Sequence, residues 1–412
     1  MTRADGEVAR GVTRYLQAVT FLSSFDRMLI APLLPLVAAD LGVPVAVAAA
    51  AATSYFVGYG VMQFGWGIVS DRIGRVATMR LSLVIAGLAA CASALAPTLG
   101  ALVLLRALTG AGFAAVVPGS LIYLGDTLDV RHRQRPLTDI MRAMAVGMAL
   151  ATVAAAAIAE VVDWRATFAV PGVLALAAAA AAVLPEPLPG PAPVRGASAA
   201  ADPHAGPAPP SSPGRPTPVR SGAGRVREVV RSRWGPLVCA FVFVEGIVIL
   251  GALPLLPAVL QEGGTSVVAS GLVVAGYGAA MALWTPAVKS LVGRVPAHVL
   301  MAVGAVLGVA GNLLLVLTTE PWSVLLASVL LAGTWSFLHS TMQTWATEVV
   351  PQARAAMISL FATALFLGSA IGTAAGSALL GADRVGLFFG LSAAGLAILG
   401  AVVVPARRSQ GG

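Results

Sequence analysis

Two acidic residues lie inside stretches of sequence that are otherwise apolar. Asp26 stands in FLSSFDRMLIAPLLPLV, and Glu245 stands in FVFVEGIVIL. A charged side chain in hydrocarbon costs at least about 2.5 kcal/mol, so such residues are usually functional. We expect both to bind and release protons, because a carboxyl group in a low-dielectric environment can lose its preference for the charged form. For Asp26 a structural ion pair with an arginine of another helix is an open alternative.

Three arginines also fall within apolar segments and are candidate charge partners. Arg27 follows Asp26 directly, and neighbouring residues on a helix do not face each other, so it either pairs elsewhere or lines a cavity. Arg106 is a candidate counter-charge that competes with protons for a carboxylate. Arg142 lies near the end of its segment, where it could instead extend its charge towards water.

Two stripes of aromatic and polar residues repeat every four positions and so share one face of a helix. Their members are Tyr55, Tyr59 and Gln63 in one segment and Trp335, His339 and Gln343 in another. The stripes predict the lining of a substrate cavity, with ordinary packing as the alternative. His339 could also titrate near neutral pH.

These residues must be positioned by elements that suit a membrane. The chain has 412 residues, of which 58% are hydrophobic and 11% charged, and its mean hydropathy is +0.88. Apolar segments long enough to cross a bilayer as helices recur along it. We predict an all-α integral membrane protein with twelve spans near 14–39, 46–69, 77–96, 100–124, 139–161, 166–184, 236–260, 266–288, 298–318, 321–346, 356–380 and 385–404.

The distribution of basic residues predicts the orientation. The net charge is +8, and most of the 26 basic residues fall in loops and tails on one predicted side, which is the side that stays in the cytoplasm. This pattern indicates a multi-pass protein of the cell membrane, of the bacterial inner-membrane type, with both termini cytoplasmic. It indicates contact with membrane lipid and not with nucleic acid.

The chain divides into two halves that resemble each other. One shift places Asp26 on Glu245, Leu34-Pro35-Leu36 on Leu253-Pro254-Leu255, and Gly74-Arg75-Val76 on Gly293-Arg294-Val295. We predict two pseudo-symmetric six-helix bundles, at 14–184 and 235–404, with cytoplasmic tails at 1–13 and 405–412. Residues 185–234 are rich in Pro, Gly, Ala and Arg and are expected to form a disordered tether.

A loop motif carries a resemblance to a known family. GWGIVSDRIGRVATM contains Gly67, Asp71, Arg72, Gly74 and Arg75. It resembles the loop between helices two and three of the major facilitator superfamily. Together with Arg106, Gly110 and Gly112, the chain is similar to the twelve-helix drug:proton antiporter branch. The resemblance implies the major facilitator fold and a conformational latch formed by this motif, with Asp71 holding the two halves together.

Two other features bear on that resemblance. Gly147 lies in the fifth segment, but the segment lacks the proline that is common in the antiporter branch. Gly368, Gly372 and Gly376 form a small-residue face for close helix packing. In the family, helices two and eleven slide past each other, so we expect this face at that seam.

Several function classes lack support in the sequence. It has no GxxxxGK[ST] phosphate loop, no metal-ligand cluster and no hydrolytic triad, so we predict neither an enzyme nor a metal or other cofactor. Cys91 and Cys239 are interpreted as packing residues. The energy source is predicted to be the proton motive force, and the partners are protons and a small-molecule substrate. We expect a monomer.

The resemblance implies a secondary active transporter that works by alternating access. The first interpretation is a proton-coupled exporter of small apolar or amphipathic compounds, as in drug or natural-product efflux and antibiotic resistance. The alternative is a proton-coupled or facilitative uptake permease for a small metabolite. A third interpretation is a transporter-shaped receptor that signals through its Pro/Arg-rich linker.

Overall fold

The described residues of the first half form helices that overlap the six predicted segments. The computed structural model describes residues 3–127, 130–181, 184 and 222–410. The helices are α1 (Arg3–Leu29, a 3₁₀ turn Ala31–Leu33, then Leu34–Leu41), α2 (Val45–Ala48 and Ala50–Ile73), α3 (Arg75–Ser93), α4 (Leu99–Phe113 and Val116–Thr127), α5 (Val130–Val161) and α6 (Ala166–Ala180).

The second half repeats this series after a short helix, Gly222–Arg231, which we call the linker helix. Its members are α7 (Gly235–Glu245, a π-helical turn Gly246–Leu250, a 3₁₀ turn Leu253–Leu255 and Leu256–Glu262), α8 (Val267–Leu291), α9 (Ala297–Leu317), α10 (Pro321–Thr334, a π-helical turn Trp335–His339 and Ser340–Val349), α11 (Pro351–Ala353 and Arg354–Leu380) and α12 (Val385–Gln410).

The predicted all-α membrane fold is confirmed. Within the described residues, eleven of the helices are long and apolar enough to cross a membrane. The predicted sixth span is the exception, because α6 extends only over Ala166–Ala180, 15 residues. The prediction had continued to residue 184, but residues 182 and 183 lie outside the described part of the chain. At the other end, the predicted N-terminal tail is part of α1, which begins at Arg3.

The helix contacts follow one scheme in both halves. In the first half α1 packs on α5, α2 on α4 and α3 on α6, and in the second half α7 packs on α11, α8 on α10 and α9 on α12. The halves meet along two long seams, α2 with α11 and α5 with α8. Each seam is the pseudo-symmetric counterpart of the other, in accord with the repeat in the sequence.

The bundle has two distinguishable ends. The end that carries the signature loop, the linker helix and the last turn of α12 exposes Arg72, Arg227 and Arg408, and we call it the basic end. At the opposite end the first helices of the two halves touch, because the Gln261 side chain donates a hydrogen bond of 3.0 Å to the carbonyl of Pro32. At this end, opposite the basic end, α1 and α7 are in contact, so the two halves are closed against each other there.

The glycine face of α11 packs differently from the prediction. A Cβ added at Gly368 or Gly372 would collide with the backbone carbonyl of Phe243 or Ile247 in α7. The face therefore lies against α7, inside the second half, and not against α2. The reason is that α7 and α11 approach until their backbones touch, which only residues without a side chain allow. The seam with α2 lies on another side of α11, where Phe366 contacts Gly60.

The linker also differs in part from the prediction. Most of the tether predicted to be disordered, residues 185–221, lies outside the described residues. Its last part is a helix, because Val229 is buried at 1% exposure while Arg227 and Arg231 face outward. The linker helix packs on α7 and on the beginning of α11. An apolar side chain that finds a surface to bury stabilises a helix that composition alone would not predict.

Candidate functional site

The first acidic residue lies in a buried pair with an arginine of the same half. Arg106 of α4 donates to Asp26 Oδ1 at 3.2 Å and to the Asp26 backbone carbonyl at 3.0 Å. A second guanidinium nitrogen lies 3.2 Å from Oδ2, and both side chains have 0% exposure. The structure thus places together two residues that the sequence predicted separately.

Aromatic rings enclose this pair. The Arg106 guanidinium lies over the ring of Tyr55 at 4.7 Å and the ring of Phe168 at 5.1 Å. These rings come from α2 and α6, so four helices converge on one charge pair. Such a cage fixes the geometry and excludes water, which strengthens the interaction between the charges.

The second acidic residue has a basic partner in the second half. His339 Nδ1 lies 3.0 Å from Glu245 Oε2, and the carboxylate has 0% exposure. The other carboxylate oxygen, Oε1, has no hydrogen-bond partner. On its far side, His339 stacks on Trp335 with ring centroids 3.8 Å apart and an angle of 17°. The pair joins α7 to α10, the helices that correspond to α1 and α4.

Both members of this second pair lie at an irregular turn. Glu245 directly precedes the π-helical turn of α7, and His339 ends the π-helical turn of α10. A π turn inserts one residue into a helix and rotates the following side chains, and such turns often occur at functional sites. Prolines also interrupt α1 and α7 shortly after the acidic residues, at Pro32 and Pro254.

Arg27 is directed away from its neighbour and towards the seam between the halves. Its guanidinium lies 5.6 Å from the ring of Tyr59 in α2 and 5.5 Å from the ring of Phe366 in α11. Among the residues that the structure describes, its side chain makes one hydrogen bond, a long one of 3.3 Å to Ser24. The expectation that Arg27 and Asp26 do not pair therefore agrees with this geometry.

Sequence reasoning missed Tyr277 of α8. Its hydroxyl is buried without a hydrogen-bond partner, and it interacts electrostatically with both Glu245 and Arg27. A signal in the sequence would have indicated it, because Gly276-Tyr277-Gly278 repeats Gly58-Tyr59-Gly60, with a tryptophan six residues after the second glycine in each case. Both tryptophans make the same contact, donating to a backbone carbonyl 45 residues further along the chain.

The remaining predicted site residues differ in their burial and in their contacts. Arg142 is 76% exposed on its side chain and pairs with Asp139, one turn earlier, so it is not a partner of either buried acid. In the predicted stripes, Tyr55, Tyr59 and Gln63 are buried. Trp335 is partly exposed, and Gln343 is exposed.

The signature loop lies at the basic end. Asp71 pairs with Arg225 of the linker helix at 3.3 Å, with its side chain 68% exposed. Gly74 adopts a φ of +84°, a conformation that favours glycine, and so allows the sharp turn from α2 into α3. Arg72 is exposed, Arg75 is partly buried, and Gly67 is exposed on α2. Since the linker helix packs on α11, the ion pair connects the two halves.

A metal centre is not indicated in the part of the chain that the structure describes, which contains no group of three or more potential ligands close together. The groups that the structure brings together are two acid–base pairs, one cation and several aromatic rings. Such a set can bind protons and an organic solute.

Two related halves of apolar helices, each with a buried acid–base pair in the part of the chain that the structure describes, are the arrangement of a repeat-built membrane transporter. The chain belongs to the Major Facilitator Superfamily, whose model matches residues 17–262 and 238–412. The family indicates a transporter and not an enzyme. The predicted antiporter branch stays a prediction.

One relative is the probable 4-methylmuconolactone transporter of Cupriavidus pinatubonensis (strain JMP 134 / LMG 1197). It is 28% identical to this chain over 151 residues, which are 36% of this chain and 35% of that protein. The match thus spans about a third of the relative's length.

Several solved structures share the fold. A bacterial homolog of the human lysosomal transporter Spinster superimposes with a TM-score of 0.73 at 16% identity, over 96% of each chain. The nucleoside transporter NupG gives 0.70 at 12% identity over 96% and 98%. The xylose transporter XylE from E. coli gives 0.67 at 13% identity over 93% and 96%.

Proposed function

We propose that the protein is a proton-coupled transporter that moves a small organic compound across the cell membrane by alternating access. The observation that carries this proposal is the presence of a fully buried acid–base pair in each half, Asp26–Arg106 and Glu245–His339. The basic end faces the cytoplasm in this proposal, because basic loops are retained on that side.

The two pairs have different parts in the mechanism. Arg106 competes with a proton for Asp26, so protonation of Asp26 releases the arginine and loosens the contact between α1 and α4. Each acid has one oxygen for which the described residues offer no hydrogen-bond partner, Asp26 Oδ2 and Glu245 Oε1. Glu245 is paired with a histidine, whose charge can change, and not with a permanently charged arginine, so it takes up the proton that accompanies the solute. A proton that accompanies a monoanion moves no net charge, so only the pH difference then drives accumulation. With an uncharged solute, each proton that crosses the membrane contributes about 2.3 kcal/mol per 100 mV. That amount corresponds to roughly fiftyfold accumulation.

We favour uptake by proton symport as the direction of transport. The relative named as a probable 4-methylmuconolactone transporter supports a metabolite substrate. Export remains the second candidate, because the signature loop and the Arg106 segment resemble the drug:proton antiporters. The two directions differ in the sign of coupling, since symport moves the solute with the proton and antiport moves it against the proton.

The test uses the full chain reconstituted in proteoliposomes with 4-methylmuconolactone as the first solute. An imposed proton gradient, acid outside, should drive accumulation, and Asp26→Asn and Glu245→Gln should each abolish the effect of the gradient. Asp139→Asn is the matched control, because Asp139 lies outside both buried pairs. Expulsion of preloaded solute by the same gradient would support export instead. Gradient-driven transport that is unchanged in both variants would refute proton coupling by these acids.

A further inference from the structure

Arg27 carries a charge that the protein leaves uncompensated. The residue is 7% exposed, and among the described residues no carboxylate lies within ion-pair distance of it. Its Nε atom is buried without a hydrogen-bond partner. Burying a cation without an anion is costly, and the two ring contacts and the hydrogen bond to Ser24 offset only part of that cost.

The two nearby acids are already engaged. Asp26 adjoins Arg27 in sequence but is held by Arg106, and Glu245 is held by His339. The remaining titratable groups around Arg27 are the phenols of Tyr55 and Tyr59 on α2 and Tyr277 on α8, which are neutral at ordinary pH. An anion from outside the chain would therefore find an unpaired guanidinium at this position.

Flat apolar surfaces lie beside the guanidinium. The rings of Tyr59 and Phe366 contact each other with centroids 4.2 Å apart, and Arg27 lies over both. One ring belongs to the first half and the other to the second, so separation of the halves would part the rings and open the space between them. The Tyr277 hydroxyl, for which the described residues offer no hydrogen-bond partner, is a donor on α8, the helix of the other seam, and it interacts electrostatically with Arg27.

We propose that Arg27, Tyr277 and the Tyr59–Phe366 ring pair form the binding site for a small monocarboxylate that carries a ring or a short apolar body. The planar guanidinium is suited to two parallel hydrogen bonds with a carboxylate. The rings contact the body of the solute. This inference rests on the proposed transport function and names the class of solute. Binding of a proton at Glu245 together with the anion leaves the net charge of the site unchanged.

The test measures binding to the purified full-length protein in detergent. The probes are benzoate, phenylacetate and cyclohexanecarboxylate, each beside its uncharged amide, with radioligand binding and thermal unfolding as readouts. We expect the carboxylates to bind and the amides not to bind. Arg27→Gln should weaken carboxylate binding by at least about tenfold. Arg27→Lys retains the charge, so its affinity for the carboxylates should lie between those of the wild type and of Arg27→Gln. The control is Arg142→Gln, at an exposed position, which should bind like the wild type.

The outcomes separate this inference from the transport proposal. Carboxylate binding that depends on Arg27, combined with transport that ignores a proton gradient, would refute proton coupling and retain the binding site. The site is refuted if none of the three carboxylates binds, if the amides bind equally well, or if Arg27→Gln binds like the wild type. Arg27→Lys keeps a cation in place, so this variant should still prefer carboxylates to amides. If it folds normally and has lost that preference, the proposed site is also refuted.

Discussion

Asp26 and Arg106 approach each other across 80 positions of the sequence, and Glu245 and His339 across 94. Asp26, Arg106 and Glu245 were predicted as candidates because charge within an apolar segment is conspicuous, and His339 was predicted from the four-residue spacing of its stripe. The sequence left open an ion pair between Asp26 and an arginine of another helix. It did not single out Arg106 for Asp26 or pair Glu245 with His339, because these contacts depend on how separate helices rotate and cross. The same holds for Arg27, whose two possible positions the sequence left open.

The aromatic partners show a different limit of sequence analysis. Phe168 and Phe366 cover the two arginines, but in an apolar helix a phenylalanine has the same appearance whether it contacts lipid, a core or a cation. Tyr277 was recoverable from the internal repeat, and Tyr55 and Tyr59 from their spacing. The tyrosines of these clusters could thus be recognised in the sequence as candidates, whereas the phenylalanines could not.

The Asp26–Arg106 pair predicts strong coupling in stability. Asp26→Asn or Arg106→Gln alone should destabilise the protein by about 3 to 5 kcal/mol, because each leaves an unpaired buried charge. The double variant should lose less than the sum of the two, since it buries no charge. Denaturation in detergent measures the effect, with Arg142→Gln as the control, which should change stability by no more than about 0.5 kcal/mol. Additive losses would contradict direct pairing.

The Glu245–His339 pair predicts the pH dependence of transport. In the wild type, uptake should rise as the external medium is acidified, because Glu245 must be protonated on that side. Glu245→Gln is permanently neutral, so its uptake should depend much less on pH. His339→Gln keeps a hydrogen-bonding group and should shift the pH profile without flattening it. Initial rates measured across a pH series distinguish the three; an unchanged profile in Glu245→Gln would exclude this residue from coupling.

At the scale of elements, the spans were the most predictable feature. Backbone groups in hydrocarbon must bond within their own segment, so length and hydropathy suffice to find a helix. Departures from regular helix were less predictable. The prolines in α1 and α7 indicate where those helices are interrupted. The π turns at Gly246–Leu250 and Trp335–His339 have no sequence signature and follow from packing.

The contact between α7 and α11 predicts a position that tolerates no side chain. Gly372→Ala should destabilise the protein by about 1 to 3 kcal/mol, since the added methyl group meets the backbone carbonyl of Ile247. Gly67→Ala is the matched control, because that glycine is also helical and has no atom within 4 Å of an added Cβ. Thermal unfolding should separate the two variants. Equal stability would show that α7 and α11 lie further apart than described here.

The docking of the linker helix should depend on its buried valine and not on the exposed valine beside it. Val229→Asp should detach the helix from α7 and α11, because burial of a valine contributes about 1.5 to 3 kcal/mol. Val230→Asp, at a position 61% exposed on the same helix, is the control. Limited proteolysis should cut Val229→Asp faster near residues 222–231 and leave Val230→Asp at the wild-type rate. Similar cleavage of both variants would show that the helix is not docked.

At the scale of the whole molecule, the repeat was predictable from the sequence. The helix faces that form the seams between the two halves were not. The matched carboxylates and prolines indicated two similar halves. Which faces of α2, α5, α8 and α11 join the halves could not be inferred, because small residues occur on several faces of each helix. The glycine face of α11 was assigned to the wrong neighbour for this reason.

A disulfide that holds the two halves together at the end opposite the basic end should stop transport until it is reduced. Ala46 of α2 and Gly381 at the end of α11 adjoin each other across the seam. In a variant with Cys91 and Cys239 replaced by alanine, Ala46→Cys with Gly381→Cys should form a disulfide on oxidation and stop transport. Reduction should restore it, and either single cysteine variant should transport under both conditions. Undiminished transport by the cross-linked protein would contradict alternating access at this end.

The stack of Trp335 on His339 has a practical consequence. An indole in face-to-face contact with an imidazole changes its emission when the imidazole gains a proton, because the cation withdraws excited-state electron density. Since that imidazole also touches Glu245, the protein contains an optical reporter beside one of its acids. Subtraction of the spectrum of Trp335→Phe isolates its signal, so proton arrival at the second half can be followed in real time without any attached dye.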